Sequence, residues 1–397
     1  MARPRSAIVD PEKIGVYHCI SRCVRRESLI ATPARRTWIM ERLRFLSSHA
    51  AIDVLAFAIM TNHIHLLLRI RPDGTDAMSD RDAVRRRIAL LPSQRLRRRL
   101  GIPSDAEPAD AEVDLWLADP AQVARARRDL CSLGFFHRLL KEPCARMWNR
   151  EDRVSGHFWE GRYQSLPVLD EASLARVASY IELNEVRACA AATLETSLWT
   201  SASLQWRRLG DGIARVCREA VDRTASLDSA VEALEQIRWE PAFASAASLP
   251  PRETREGCVP TRGELLDFPL PLVHYIDAVD RLGRRLHPAK PGGIDPRRPR
   301  PIATALLRAE WSITDAGEAP RRMLDQLRAW SRATEPHRRF RTGAFRSLPP
   351  VPRPDLSTRV PRGSCYGSAS ALAAEARRRG TRRVLPIRLD GDAWPPG

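Results

Sequence analysis

His63 and His65 stand one residue apart in Asn62-His63-Ile64-His65. On an extended strand, residues two apart project from the same face, so both imidazoles point one way and Ile64 the other. Two neutral imidazoles on one rigid element make a bidentate start for a divalent metal site. Two ligands do not hold a metal alone, so a further ligand and a reacting group must come from elsewhere. Tyr180, Asn184 and Arg187 are candidates more than a hundred positions downstream. At helical pitch they share a sector of roughly 60°. A tyrosine hydroxyl can attack phosphorus and split one difficult step into two through a covalent phosphotyrosine. It needs a metal to polarise the phosphate oxygens and hold the attack in line. Asn184, one turn on, can offer an oxygen ligand. Taken singly, the same residues have plainer readings: a buried histidine satisfied by its neighbours, and a tyrosine packed with its hydroxyl in water. A zinc hydrolase using His63, His65 and Asp170 or Glu171 would lack an H-E-x-x-H or comparable set.

These groups need elements to position them. The apolar run 54–60 reads as a buried strand that leads into the histidines and resumes through Leu66-Leu67-Leu68. Residues 14–22 alternate apolar and polar and read as a first strand, and 33–50 as a helix with Trp38, Leu43 and Leu46 near one face. The order is β-α-β, with parallel and antiparallel pairing both open. Residues 121–150 read as helical, with Leu130, Leu133, Phe135, Phe136, Leu139 and Leu140 facing a core. An aromatic-rich turn and strand follow over 156–168. Asp170 is then an N-cap for a helix over 171–189 whose apolar face is Leu174, Val177, Ala178 and Ile181. Beyond residue 205 helices are expected at 211–237, 271–286 and 302–333, between Pro/Arg-rich joints, with a basic and partly disordered tail.

Composition limits the partner. The 65 Lys+Arg against 48 Asp+Glu leave +17, and the sequence pI is near 10.5. That sign and size favour a polyanion, nucleic acid or an anionic surface. Only Lys13, Lys141 and Lys290 are lysine, an arginine bias that coding preference alone can produce. A basic block (Arg81, Arg85, Arg86, Arg87, Arg95, Arg97, Arg98, Arg99) precedes an acidic one (Asp105, Glu107, Asp110, Glu112, Asp114, Asp119) within 71–120. This reads either as a solvated helical insertion or as a helix whose arginines meet phosphates. The eight cysteines form no C-x-x-C pair and fit reduced thiols in a cytoplasm. No stretch has signal-peptide or membrane-span character, so a soluble intracellular protein is expected.

Several stretches together resemble one family. Met60-Thr61-Asn62-His63-Ile64-His65-Leu66-Leu67 is similar to the His-hydrophobic-His signature of HUH-type single-tyrosine transposases, and Ser179-Tyr180-Ile181-Glu182-Leu183-Asn184-Glu185-Val186-Arg187-Ala188 to their tyrosine helix. Within that group the chain looks most like the REP-associated tyrosine transposases. Val16-Tyr17-His18-Cys19-Ile20-Ser21-Arg22, Asn149-Arg150 with the stretch 157–165, and Leu169-Asp170-Glu171 fit in order, and the region 284–296 resembles longer members. The resemblance implies an α+β fold, a ferredoxin-like sheet with packed helices, as a catalytic domain over 1–205 with the insertion at about 71–120. A mainly helical, basic region follows over 206–397. It implies Mg²⁺ or Mn²⁺ held by His63, His65 and Asn184, with Tyr180 as nucleophile and Arg22, Arg162 and Arg187 as DNA contacts. It further implies single-stranded, hairpin-containing DNA as partner, a 5′-phosphotyrosine intermediate and strand transfer. The protein would be a monomer or homodimer, cytoplasmic and nucleoid-associated, with no membrane contact. The other class of function left open is a hairpin-binding protein that has lost catalysis. Two positions depart from the pattern: Thr61 and Glu185 each replace a common proline, and Glu185 brings negative charge toward a site for phosphate.

Overall fold

Alternation along Gly15–Arg22 (β1) sends Val16 to one face of a sheet and Tyr17 and Cys19 to the other. The computed structural model describes residues 9–103, 105–222, 235–245, 271–285, 290–298, 365–379 and 384; of 213–222 only the backbone is described. Pro33 in the first turn and the Thr32 hydroxyl, which accepts from the Arg35 amide, start helix α1 (Pro33–His49). Strands β2 (Ile52–Ile59) and β3 (His63–Ile70) follow as an antiparallel hairpin. The run read as one strand is therefore two. The chain turns at Thr61-Asn62, where the Met60 amide bonds the His63 carbonyl (2.9 Å), so the histidines open β3 and do not end β2.

Five helices then form the insertion: α2 (Pro72–Asp76), α3 (Asp80–Leu90), α4 (Gln94–Leu100), α5 (Asp110–Leu117) and α6 (Pro120–Leu130). Helix α7 (Leu133–Glu151) begins after a break at Cys131-Ser132, so the span read as one helix is two. Strand β4 is Gln164–Val168; the aromatic stretch before it is turn and bend, with an isolated bridge from Trp159 to Cys23. Asp170 caps α8 (Glu171–Glu182) by accepting from the Ser173 amide, and Leu183 separates α8 from the single turn α9 (Asn184–Arg187). Helices α10 (Ala202–Asp222), α11 (Leu272–Arg284) and α12 (Ala369–Arg378) complete the described elements. The helix expected at 302–333 and most of the basic tail lie outside the described residues.

The sheet order is β2-β3-β1-β4, antiparallel throughout. With the chain order β-α-β-β-α-β this is the ferredoxin-like arrangement, a split β-α-β unit with β3 between β1 and β2. A register shift between Val54 and Ala56 puts Leu55 and Ala56 on the same face, as a bulge does. One face of the sheet packs Phe57, Ile64, Leu66 and Leu68 against Ile39, Leu43 and Leu46 of α1 and Phe136, Leu139 and Leu140 of α7. On the other face Leu55, Ala58 and Leu67 meet Leu174, Val177, Ala178 and Ile181 of α8, the four residues expected there. Trp206, Leu209, Trp239, Tyr275 and Ile276 join this second core, so residues on either side of position 205 share one apolar interior. Its burial is the main force that holds the sheet under α8.

The insertion has its own small core of Val84, Ile88, Val113 and Ala126. Its basic and acidic blocks meet each other: Arg81 bonds Asp110 and Asp114, Arg85 bonds Asp110, and Arg97 bonds Glu112, while Arg87 bonds Asp129 of α6. These arginines are already neutralised within the fold, which favours the solvated-insertion reading at those four positions. Among the described residues no helix is long and apolar enough to cross a membrane.

Candidate functional site

Because β3 alternates, His63, His65 and Leu67 face α8 while Ile64, Leu66 and Leu68 face α1 and α7. The His63 and His65 rings lie 4.8 Å apart, centroid to centroid. His63 is half-buried and His65 buried. Burial drives the His63 pKa down to about 3, helped by the charges of Arg22 and Lys290. Burial also takes His65 well below its ordinary value, with the neighbouring rings His63 and His18 adding to the effect. Both are neutral at physiological pH, the state a metal ligand needs.

Hydrogen bonds engage one nitrogen of each ring and fix the tautomer of His63. The Asn62 amide nitrogen donates to the Arg26 carbonyl at 2.9 Å, which leaves Asn62 Oδ1 as the atom 2.6 Å from His63 Nδ1. An amide oxygen only accepts, so the proton of His63 is on Nδ1 and the lone pair on Nε2. His65 Nδ1 is likewise engaged, 2.9 Å from His18 Nε2.

Helix α8 brings Tyr180 over this face. The Tyr180 ring stands edge-on to His65 at 5.9 Å and to His18 at 6.2 Å, and is half-buried. Helix spacing explains this: Val177 and Ile181 anchor the buried stripe, and Tyr180 sits on its edge. Asn184 lies past the break at Leu183 and is buried; its amide nitrogen donates to the Tyr180 and Ile181 carbonyls at 3.0 and 3.1 Å. Those bonds fix which amide atom is the oxygen.

The three arginines fare differently. Arg22 pairs with His63 across β1 and β3 and is half-buried, and Arg162 is exposed beside β4. Arg187 is buried: it donates to the carbonyls of Arg285 (2.7 Å), Leu282 (2.6 Å) and Gly292 (3.3 Å). It closes the C-terminal end of α11 and holds down the segment that carries Lys290. A side chain at Gly292 would meet the Val186 carbonyl at 2.1 Å, so only glycine allows that approach. Glu185 accepts from Arg36 (3.4 Å) and from the Trp199 amide (3.2 Å), and burial pushes its pKa up to about 7.

Sequence reasoning overlooked three residues here. His18 was legible in principle, because it lies on the His65 face of β1 once the register Ile20↔His65 is known. Lys290 acts electrostatically on both histidines and is one of three lysines in an arginine-rich chain. Tyr366 bonds His18 Nδ1 at 2.9 Å from a stretch read as tail.

Among the described residues no cluster of three or more His, Cys, Asp or Glu is arranged to hold a metal. On the face beside Tyr180 the side chains that could hold a metal are the imidazoles of His63 and His65. Residues 14–78, the span from β1 through the histidine strand into the insertion, match the family model described as "Transposase IS200 like". Over that span the chain is similar to IS200-like transposases. A solved structure, "Structure of the REP associates tyrosine transposase bound to a REP hairpin", aligns with 47% of this chain and 74% of its own, at 9% identity and a TM-score of 0.23. That overlap is too slight to build on. No curated protein matches the chain. The IS200-like segment carries both histidines, His18 and Arg22, whereas Tyr180 and Asn184 lie outside it.

Proposed function

We propose that the protein is a metal-dependent nuclease and strand transferase for single-stranded DNA, with Tyr180 as the nucleophile. The supporting observation is the meeting of Tyr180 with His65, 5.9 Å ring to ring, on the sheet face that also presents His63. The two histidines would hold Mg²⁺ or Mn²⁺ through Nε2, with Asn184 giving an oxygen; the metal would supply Lewis acidity to the scissile phosphate. The residues do the rest. Asn62 and His18 hold the imidazoles by their Nδ1 sides. Tyr180, on a helix fixed by its buried stripe, attacks phosphorus, forms the 5′-phosphotyrosine and releases a 3′-hydroxyl, which can return to join strands. Arg22, Lys290 and Arg162 draw the DNA backbone to this face. Arg187, with its guanidinium committed to three carbonyls, shapes the Lys290 segment and touches no phosphate. The partner is DNA with a hairpin beside the cleaved strand, and the working protein is a monomer or homodimer bound to the nucleoid.

The test is incubation of purified protein with a single-stranded hairpin oligonucleotide and Mn²⁺, followed by denaturing electrophoresis. Wild type should form an adduct that withstands denaturation, and Tyr180→Phe should form none. The His63→Ala/His65→Ala pair should keep hairpin affinity while losing the adduct. If wild type binds hairpins and cleaves with no divalent metal tried, the protein is a DNA-binding relative without catalysis.

A further inference from the structure

His63 and His65 are held in different ways. His63 is locked, because its Nδ1 faces an oxygen that can only accept. His65 faces His18 Nε2, a nitrogen that donates or accepts depending on where the His18 proton sits. His18 is buried, and its other nitrogen, Nδ1, lies 2.9 Å from the Tyr366 hydroxyl, a group that also works either way. Tyr366, also buried, reaches this position through the chain around Cys365, which adds to the free edge of β4. The Tyr366 amide donates to the Pro167 carbonyl, and the Tyr366 carbonyl accepts from the Leu169 amide, both at 2.9 Å. The Asp170 cap of α8 also accepts from the Ser368 amide, so the same segment is tied to the tyrosine helix.

Two proton arrangements fit this row, with the same number of protons. In one, Tyr366 donates to His18 Nδ1, His18 Nε2–H donates to His65 Nδ1, and His65 carries its proton on Nε2, where it blocks a metal. In the other, His65 Nδ1–H donates to His18 Nε2, His18 Nδ1–H donates to the Tyr366 oxygen, and His65 Nε2 has its lone pair free. We propose that His18 and Tyr366 are positioning residues that hold His65 in the second arrangement, so that a segment from the far end of the chain sets the metal competence of the histidine pair. This rests on the reading of His63 and His65 as ligands. The Tyr366 oxygen is what the second arrangement needs, since without it the His18 Nδ1–H would be a buried donor with no acceptor.

The experiment uses full-length protein with ¹⁵N-labelled histidine. Long-range ¹H–¹⁵N correlation reads each imidazole tautomer without metal, and calorimetry reads Mn²⁺ affinity. Wild type should show His65 with Nδ1 protonated. Tyr366→Phe keeps the ring and should move His65 toward the Nε2–H form and weaken Mn²⁺ binding about 10- to 100-fold. His18→Phe should do the same, while the His63 tautomer stays unchanged in both as the internal check on folding. His65 signals in Tyr366→Phe and His18→Phe indistinguishable from wild type would overturn the proposal, as would His65 protonated on Nε2 in wild type. If His63→Ala leaves Mn²⁺ affinity intact, the ligand reading fails instead, and the tautomer measurement still decides the role of the row.

Discussion

Glu182 shows what a single residue contributes beneath the site. Fully buried, it accepts hydrogen bonds from the Ser201 hydroxyl and the Tyr275 hydroxyl, each at 2.7 Å, and so ties α8 to α11 and, through Ser201, to β2. Burial pushes its pKa from 4.5 up to about 7. The folded state therefore binds a proton that the unfolded chain releases between those values. Its stabilisation is complete below pH 4.5 and is lost as pH rises through about 7. A shift of that size is worth about 3 kcal/mol. Glu182→Gln, which cannot ionise, should gain on wild type by up to that amount in urea unfolding between pH 4.5 and 8. A constant difference across the range would show that Glu182 is ionised in the fold. The residue scale is also where sequence reading reached furthest. His63 and His65 share a face because strands alternate, and Tyr180 borders the α8 stripe because helices turn at a fixed pitch. Both are local rules, readable without the fold. The His18–Tyr366 contact joins residues 348 positions apart and obeys no local periodicity.

Among the elements, β1, α1 and the buried face of α8 were legible because each carries its own pattern over several residues. The hairpin of β2 and β3 was not. Its two strands are buried on both faces, so apolar residues run through the turn and only Thr61-Asn62 marks it. The insertion was legible as charged helices, but pairing of its two blocks needs the tertiary fold. Arg97 and Glu112 are both buried, at 3.0 Å, and Arg97 also donates to the Ala106 carbonyl. Glu112→Ala strands that guanidinium and should cost about 3–5 kcal/mol in the insertion, read as faster amide exchange across α4 and α5. Hairpin affinity should stay within twofold of wild type. Exchange unchanged in α4 and α5 would mean that the pair does not hold the insertion.

At the scale of the molecule, +17 is a general attraction for a polyanion, and the fold decides where it acts. The Arg81, Arg85, Arg87 and Arg97 charges are internally matched, whereas Arg22 and Lys290 act on the histidine face. Affinity for single-stranded DNA should fall with salt, and Arg162→Ala should each time reduce the log–log slope by about 0.7, the effect of one phosphate contact. Arg81→Ala should leave the slope unchanged; an equal loss there would place DNA on the insertion. Residue patterns alone left parallel and antiparallel pairing open, because pairing depends on contacts distant in the chain; the ferredoxin-like sheet was implied by the resemblance, and the strand order agrees with it. The likeness of residues 14–78 to IS200-like transposases covers the histidines but stops short of Tyr180.

That gap makes the identity of the linked residue the measurement that bears most directly on the proposed chemistry. The DNA-linked protein would be digested to peptides and the nucleotide-bearing residue located by mass spectrometry. Tyr180 and Tyr366 are the tyrosines whose rings stand against His18, at 6.2 and 5.7 Å. Tyr180 should carry the nucleotide and Tyr366 should not. A nucleotide on Tyr366, or on any residue other than Tyr180, would contradict the assignment.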